Sequence, residues 1–379
     1  MRKARVAVIR TAPEVVLRDI DRVCHLARLR EALEPGAATV LKDHVAWRYP
    51  FPGANTTPWQ LEGAVEALKA ADFGRLSLMC HRPGGGGGRQ GADPNHYAPV
   101  CERHNIPVLH TFEPSDVRWI EYRPKARLHV LGQVFERGLT LPDHLFGKNL
   151  VHLPTLKCDV YTTTSGAMRN AFGALIHRRR HYAKSWIHRT LVDLLALQRE
   201  ICSGLFVLMD GTTAGNGGGP RALVPVKKDL ILASGDPVAV DAVAAKLMGF
   251  DPMRIEYIRV AHDDGLGVGD PSQIELAGAD VSGESWGFDL GRNAASVVGN
   301  ALWHGRLECL GKLVFRTRLV NIFAFGSHAY HDLYRWRRKD RVTFEEWKRK
   351  TPWGRLFEAY ELGQSDRIVG GSTAEPLAL

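Results

Sequence analysis

Two lysines close apolar runs in this chain, and polar residues that could do chemistry follow each of them. "ATVLKDH" ends on Lys42, Asp43 and His44, with Thr56 and Thr57 a short loop later. "NLVHLPTLKCD" carries Lys157, and Arg169 and Asn170 come after "YTTTSGAM". A lysine at a strand end can fix a carboxylate or phosphate, or act as a base if its pKa is depressed. A third run, "GLFVLMD", ends on Asp210 and leads into "GTTAGNGGGP", with Asn216 and Gly219. This pattern predicts an acid at a strand end, then a wide turn whose free N–H groups could bind an anion. The alternative is that Asp210 only caps that turn.

A fourth stretch, "SGDPVAVD", puts Asp236 at a strand end and Asp241 one helical turn beyond Pro237. Two carboxylates at one helix end could hold a divalent metal or divide acid and base roles. The competing reading makes Asp236 an N-cap and Asp241 a solvated or salt-bridged residue. "HRRRHYAKSWIHR" spaces His177 and His181 four apart, without the acidic third ligand of a zinc protease. Anion binding by Arg178–Arg180 and His181, or a solvated basic face, remains for it. The five glycines 84–88 suit a surface loop or a lid over a site at the strand ends.

Several chemistries are excluded. Gly219 is followed by Pro220 and Arg221, so the glycine stretch is not a Walker A loop. No helix follows it directly, so it is not a dinucleotide fingerprint. The six cysteines form no CxxC pair, so no local iron–sulfur site or zinc ribbon is written. The 50 basic residues exceed 41 acidic ones, giving a formal net charge of +9. That excess favours anionic ligands. Without a zinc-finger or RNA-recognition signature, nucleic acid is not expected.

These residues need elements to hold them. Short apolar runs alternate with helical patterns such as "PWQLEGAVEALKAA" and "PVAVDAVAAKLMGF". The alternation predicts an α/β fold, layered, with a mainly parallel sheet flanked by helices. In such sheets ligands sit beyond the carboxyl ends of the strands. The α/β domain is expected over 1–280, with a candidate sub-boundary near 115–150. A helical extension rich in aromatic and basic residues follows over 281–379, ending in a frayed tail. No apolar run reaches the ~20 residues a transmembrane segment needs. "MRKARVAVIR" has no hydrophobic signal region, and the cysteines are sparse, so a cytoplasmic protein is expected.

Taken in order, "ATVLKDHVAWRYPFPGANTTP", "LPTLKCDVYTTTSGAMRNAFG", "LMDGTTAGNGGGP", "LILASGDPVAVDAVAAKLMGFDP" and "DDGLGVGDPSQIELAG" resemble the bacterial and archaeal domain of unknown function family 362, over roughly residues 5 to 280. The resemblance implies interest in Lys42, Thr56, Thr57, Lys157, Asp210, Asn216, Gly219, Pro220, Asp236 and Asp241. Asp43 and His44 stand where the family has Pro-Asn, and Cys158 and Asp159 where it has Thr-His. Arg169 and Asn170 replace its usual Lys-Asn. Many relatives carry a ferredoxin-like cysteine module, which is absent here. "KDHVAWRYP" also loosely resembles the Asp-His-Thr-Arg-Pro stretch of the nickel-dependent lactate racemase family, which implies proton or hydride chemistry on a small hydroxy acid.

The expectation is a cytoplasmic enzyme acting on a small anionic substrate, bearing carboxylate or phosphate. Lys42, Lys157, Asp210 and Asp236 are its catalytic candidates. Thr56, Thr57, Arg169, Asn170, Asn216, Gly219 and His181 are its binding candidates, and Asp236 with Asp241 its metal candidates. The alternative is a binding protein that docks to a separate iron–sulfur or flavin redox partner, or forms a homodimer, through the C-terminal extension.

Overall fold

The computed structural model describes residues 3–81, 93–136, 138–176, 180–291 and 325–369. Its strands are β1 (Ala4–Arg10), β2 (Thr39–Lys42), β3 (Leu76–Cys80), β4 (Val108–His110), β5 (Trp119–Tyr122), β6 (Leu139–Pro142), β7 (Asn149–His152), β8 (Thr155–Asp159), β9 (Thr163–Thr164), β10 (Gly204–Gly218), β11 (Ala222–Ser234) and β12 (Ile274–Gly278). The central sheet runs β12-β1-β11-β10-β7-β2-β3-β4, with β8 pairing β10 and β9 pairing β8. Along that path every strand points the same way except β11, which is antiparallel to both neighbours. β5 and β6 form a separate hairpin.

A mainly parallel sheet is covered on both faces, so its strands read as continuous apolar runs rather than alternating ones. Val40 and Leu41, like Leu150 and Val151, are therefore buried in succession. Val6 and Val8 enter the core on one face, with helices Ala167–Leu175, Ile187–Ile201, Pro237–Met248 and Glu256–Asp263. Ala7 and Ile9 enter the core on the other, with Val16–Leu26, Pro58–Ala70 and Tyr97–His104. The result is a helix–sheet–helix sandwich.

The start of helix Pro58–Ala70 is encoded locally. Thr57 caps it, accepting from Gln60 N–H while the Gln60 side chain accepts from Thr57 N–H, and Pro58 fills the first turn. Helix Pro237–Met248 stops at Gly249, whose φ of 102° suits the glycine.

The glycine-rich stretch after Asp210 differs from the wide turn that its composition predicts. It stays extended as the second half of β10, paired with β11 from Gly211↔Leu230 to Gly218↔Ala222, with one bulge between Gly211 and Thr213. Close packing explains the glycines. A Cβ on Gly215 would meet Leu223 at 2.7 Å and the Lys157 Cβ at 3.0 Å. A Cβ on Gly219 would stand 1.8 Å from the Cys158 carbonyl oxygen.

The C-terminal residues pack into the second core. Phe344, Trp347, Trp353, Leu356, Phe357 and Tyr360 are buried there, and the Trp59 and Trp353 rings lie 5.3 Å apart. Trp47 Nε1 donates to Asp332 at 2.7 Å, and Tyr49 stacks on Trp336 with centroids 3.9 Å apart. Among the described residues, no helix is long and apolar enough to cross a membrane.

Candidate functional site

The carboxyl ends of β2, β3, β7 and β8 and the middle of β10 bring charged side chains together inside the fold. Lys42, at the end of β2, is fully buried; its Nζ donates to Asp43 Oδ1 at 2.5 Å and lies 2.9 Å from His81 Nδ1. His81 follows β3 just as Asp43 follows β2. Burial pushes the Asp43 carboxyl up, but Lys42 and His81 outweigh it and hold the group at about 2. Lys42 and Asp43 thus form a closed ion pair. A second pair follows β8: Arg169 Nε lies 3.5 Å from Asp159 Oδ2, and the guanidinium rests 5.0 Å from the Phe172 ring centroid.

Between these pairs stand two titratable groups without ion-pair partners among the described residues. Lys157 is fully buried, and its Nζ donates only to Thr155, at 2.5 Å to the hydroxyl and 3.2 Å to the carbonyl. Burial drags its pKa down to about 7, against the pull of Asp159 and Asp210. Asp210 accepts from the Thr57 hydroxyl at 2.5 Å and from Thr212 N–H at 2.7 Å. Burial raises its pKa in spite of these donors. A lysine that loses its proton near neutrality beside a carboxyl that holds its proton longer is a pair equipped for acid–base work.

Around them several buried polar atoms have no hydrogen-bond partner: His44 Nδ1, Asn170 Oδ1 and Thr212 Oγ1, while Arg169 Nε and Asp159 Oδ2 meet only as an ion pair. Such atoms are rare in native interiors and each calls for an explanation. His44 is kept neutral, first by burial and then by the charges of Lys157, His81, Lys42 and Arg169. Asn170 is held by donating to the Lys42 carbonyl at 3.1 Å and to His152 Nδ1 at 3.3 Å. His152 Nε2 in turn meets Gln198 Oε1 at 2.6 Å. That chain fixes which way the Asn170 amide faces.

Other candidates from the sequence are placed elsewhere or serve the scaffold. Asp236 follows β11, the one reversed strand, so it falls at the opposite edge of the sheet from Lys157. Its Oδ1 accepts from Val238 and Ala239 N–H and its Oδ2 from Val268 N–H. Asp241 accepts from Ala167 at 2.7 Å and Met168 at 3.1 Å, capping the helix that carries Arg169 and Asn170. N–H donors thus face all four carboxylate oxygens, an arrangement that does not fit a divalent metal. Asp236 and Asp241 are capping residues; Asp241 holds the helix that carries Arg169 and Asn170, and its charge also reaches Lys157.

Thr56 links the loop after β2 to the β7–β8 junction, accepting from His44 N–H at 2.7 Å and donating to the Leu153 carbonyl at 2.5 Å. Asn216 accepts from Asp289 N–H at 3.0 Å, and Gly219 is a close-packing position. Both act in the hairpin and not in the charged cluster. The side chain of His181, residues 177–179 and the glycine run 84–88 lie outside the described residues.

His81 and His152 escape a reading by motif. Each sits at the end of a parallel strand, β3 and β7, and only that shared position signals them.

Among the described residues, donor atoms of Glu62, Glu66 and His104 lie within 4.8 Å of one another. Glu62 already accepts from Arg103 at 2.6 Å and from the Tyr360 hydroxyl, so this group ties the C-terminal helix to Pro58–Ala70.

Residues 39–246, more than half of the chain, match the family described as a domain of unknown function, DUF362. The chain belongs to that family. The DUF362 segment contains Lys42, His44, Thr57, His81, Lys157, Arg169 and Asp210, the whole buried cluster. A thylakoid-associated protein of Synechocystis sp. is 25% identical over 270 residues, which cover 66% of this chain and 77% of that protein.

Proposed function

We propose that the chain is an enzyme that moves a proton on a small anionic substrate, a carboxylate or phosphate compound, at the carboxyl ends of the parallel strands. The observation that carries this reading is Lys157: buried, without a counter-ion among the described residues, and brought to a pKa of about 7 by burial. A buried lysine in that state accepts a proton readily and is stabilised as an ammonium once an anion lies beside it. His44 offers an unpartnered nitrogen to such an anion, the Arg169 guanidinium adds positive charge from its ion pair with Asp159, and Asn170 offers an unpartnered oxygen to a hydroxyl or a protonated group. Asp210, oriented by Thr57, is the second proton carrier. The Lys42–Asp43 pair holds the wall behind them.

Docking to a redox partner through the C-terminal extension receives less support. Phe344, Trp347, Trp353, Phe357 and Tyr360 point into the core and are not available to a partner, although Phe325 and Tyr334 are exposed. The free, scattered cysteines support a reducing compartment such as the cytoplasm.

The test has two arms. Acetate, malonate and inorganic phosphate are titrated at matched ionic strength, with melting temperature as readout. At least one should stabilise the wild type, and Lys157→Met and Arg169→Ala should lose the effect. A Lys157→Met variant that responds like the wild type contradicts the site. In the second arm, small 2-hydroxy and 2-oxo acids are incubated with protein in heavy water. Deuterium uptake into an acid, absent with Lys157→Met, is the expected outcome; no uptake into any acid that binds contradicts proton transfer.

A further inference from the structure

The C-terminal segment carries a surface that the Lys157 site does not use. Among the described residues seven large apolar side chains are exposed, and four of them, Phe325, Leu333, Tyr334 and Val342, fall on the one segment 325–342. Their exposure is not fraying, because the opposite face is anchored. His331 and Asp332 are buried, Trp336 stacks on Tyr49, and Phe344 and Trp347 enter the core. Ala329–Asp340 is a π-helix, continued by the α-helix Arg341–Lys350. Bonds from residue i to i+5 put residues four and five apart on one face. Leu333 and Tyr334, then Arg337 and Arg338, then Arg341 and Val342 therefore follow one another along the solvent side, and all six are exposed.

The acids of this stretch turn inward. Asp332 accepts from Trp47 Nε1 at 2.7 Å and faces His328 Nδ1 at 2.7 Å. Asp340 is buried and gripped by Arg335 through two bonds of 2.9 Å. Arg337, Arg338, Lys339 and Arg341 remain outside, exposed and without an ion pair among the described residues. The next exposed acids, Glu345 and Glu346, come a turn later. Arg338 lies over the Tyr334 ring, 5.5 Å from its centroid, so one cation and one apolar body share the same spot on the stripe.

We propose that this stripe docks the protein on an anionic lipid bilayer, with Leu333, Tyr334 and Val342 dipping below the phosphates and Arg337, Arg338, Lys339 and Arg341 binding them. Charge complementarity carries the choice of partner: four unpaired cations face outward where no acid does. The interleaving of apolar and basic side chains carries it further. A protein interface gathers its apolar residues in a core and keeps charges to the rim. A helix lying at the phosphate level mixes the two, because arginine and lysine stems follow the apolar side chains while their heads stay in water. The attachment is peripheral, since no described helix is long and apolar enough to cross a membrane. It needs nothing from Lys157, so it stands or falls separately from the proposed reaction.

Co-sedimentation of the full chain with vesicles tests it. Vesicles of phosphatidylglycerol and phosphatidylcholine in equal parts should carry the protein down, and phosphatidylcholine alone should not. Arg337→Gln with Arg338→Gln should weaken binding about tenfold or more, at about fivefold per cation near an anionic surface. Arg337→Lys with Arg338→Lys keeps the charge and should keep most of the binding. Arg18→Gln with Arg22→Gln removes two exposed cations from helix Val16–Leu26 and should change little, because a charge acts over only ~10 Å at ~0.1 M salt. Leu333→Ser with Val342→Ser should weaken binding with the charge intact, and Lys157→Met should bind as the wild type does. A wild type that ignores the anionic vesicles would overturn the proposal. Equal losses from the Arg18/Arg22 and Arg337/Arg338 pairs would overturn it too, since net charge would then account for the binding. Soluble polyglutamate, at the same concentration of charge, separates a bilayer from an acidic protein. If it binds as tightly as the vesicles, and Leu333→Ser with Val342→Ser has no effect on either, the stripe recognises an acidic chain and the bilayer is excluded.

Discussion

Lys157 Nζ donates to the Thr155 hydroxyl over 2.5 Å and has no carboxylate paired with it among the described residues. A buried ammonium normally has an anionic partner. Lys42, also fully buried, has Asp43 at 2.5 Å. The contrast between the two lysines divides their work: Lys42 is a fixed charge in a wall, and Lys157 is a group that can change its protonation state.

That contrast predicts a pH dependence of stability. Lys157 releases its proton at about 7 when folded and near ~10.4 when unfolded. Between those values the unfolded chain holds the extra proton, so the stability attributable to Lys157 rises with pH. Below about pH 7 the penalty is complete, on the order of 5 kcal/mol. Lys157→Met removes it. Urea denaturation of both proteins should show the variant gaining most at neutral pH, with the gain shrinking toward pH ~10. A difference that does not change with pH contradicts the depressed pKa.

Asp43 behaves with the opposite sign. Its folded pKa of about 2 lies below the unfolded ~3.9, so its contribution is present above ~3.9 and is lost as pH falls through about 2. Asp43→Ala leaves Lys42 buried and uncompensated and should cost about 3–5 kcal/mol by urea denaturation at neutral pH. Adding Lys42→Met to that variant should restore much of the loss. A double variant no better than the single one would show that Asp43 serves something besides Lys42.

Thr57 joins two functions in one hydroxyl, accepting from Gln60 N–H and donating to Asp210. Thr57→Val should cost about 2 kcal/mol, from the lost cap and from a buried carboxylate with one donor fewer. Thr57→Ser should recover most of it. Equal stability of the Val and Ser variants would remove Thr57 from both roles.

Asp236 separates structural importance from the site. Asp236→Asn should cost about 1 kcal/mol or more, because the cap accepts three backbone N–H groups. Its response to acetate, malonate and phosphate should match the wild type. Loss of the anion response in this variant, with the fold intact, would mean that the opposite edge of the sheet takes part in binding.

Much of the scaffold is legible in the sequence because its signals are local. Pro58 and Pro237 mark helix starts, Gly249 a helix end, and Lys42 and Lys157 end apolar runs. The misreadings come from tertiary structure. Gly215 looks like a turn residue by its own entropy, yet the packing of Lys157 and Leu223 against it selects extended backbone, and only Gly219 stands in the turn itself. Asp236 looks like a site residue because it ends a strand, but a strand's direction in the sheet is not written beside it. Reversal of β11 moves Asp236 to the other edge. His81 and His152 each lack a motif, and only the pairing of distant strands reveals what surrounds them.

The most direct test of the account is the pKa of Lys157 itself, read from the side-chain carbon resonances of lysine-labelled protein, with Lys157→Arg to assign the signal. The account predicts titration at about 7 in the free protein and a higher value when an anion that stabilises the fold is present. Titration near ~10.4, indifferent to any bound anion, would contradict it.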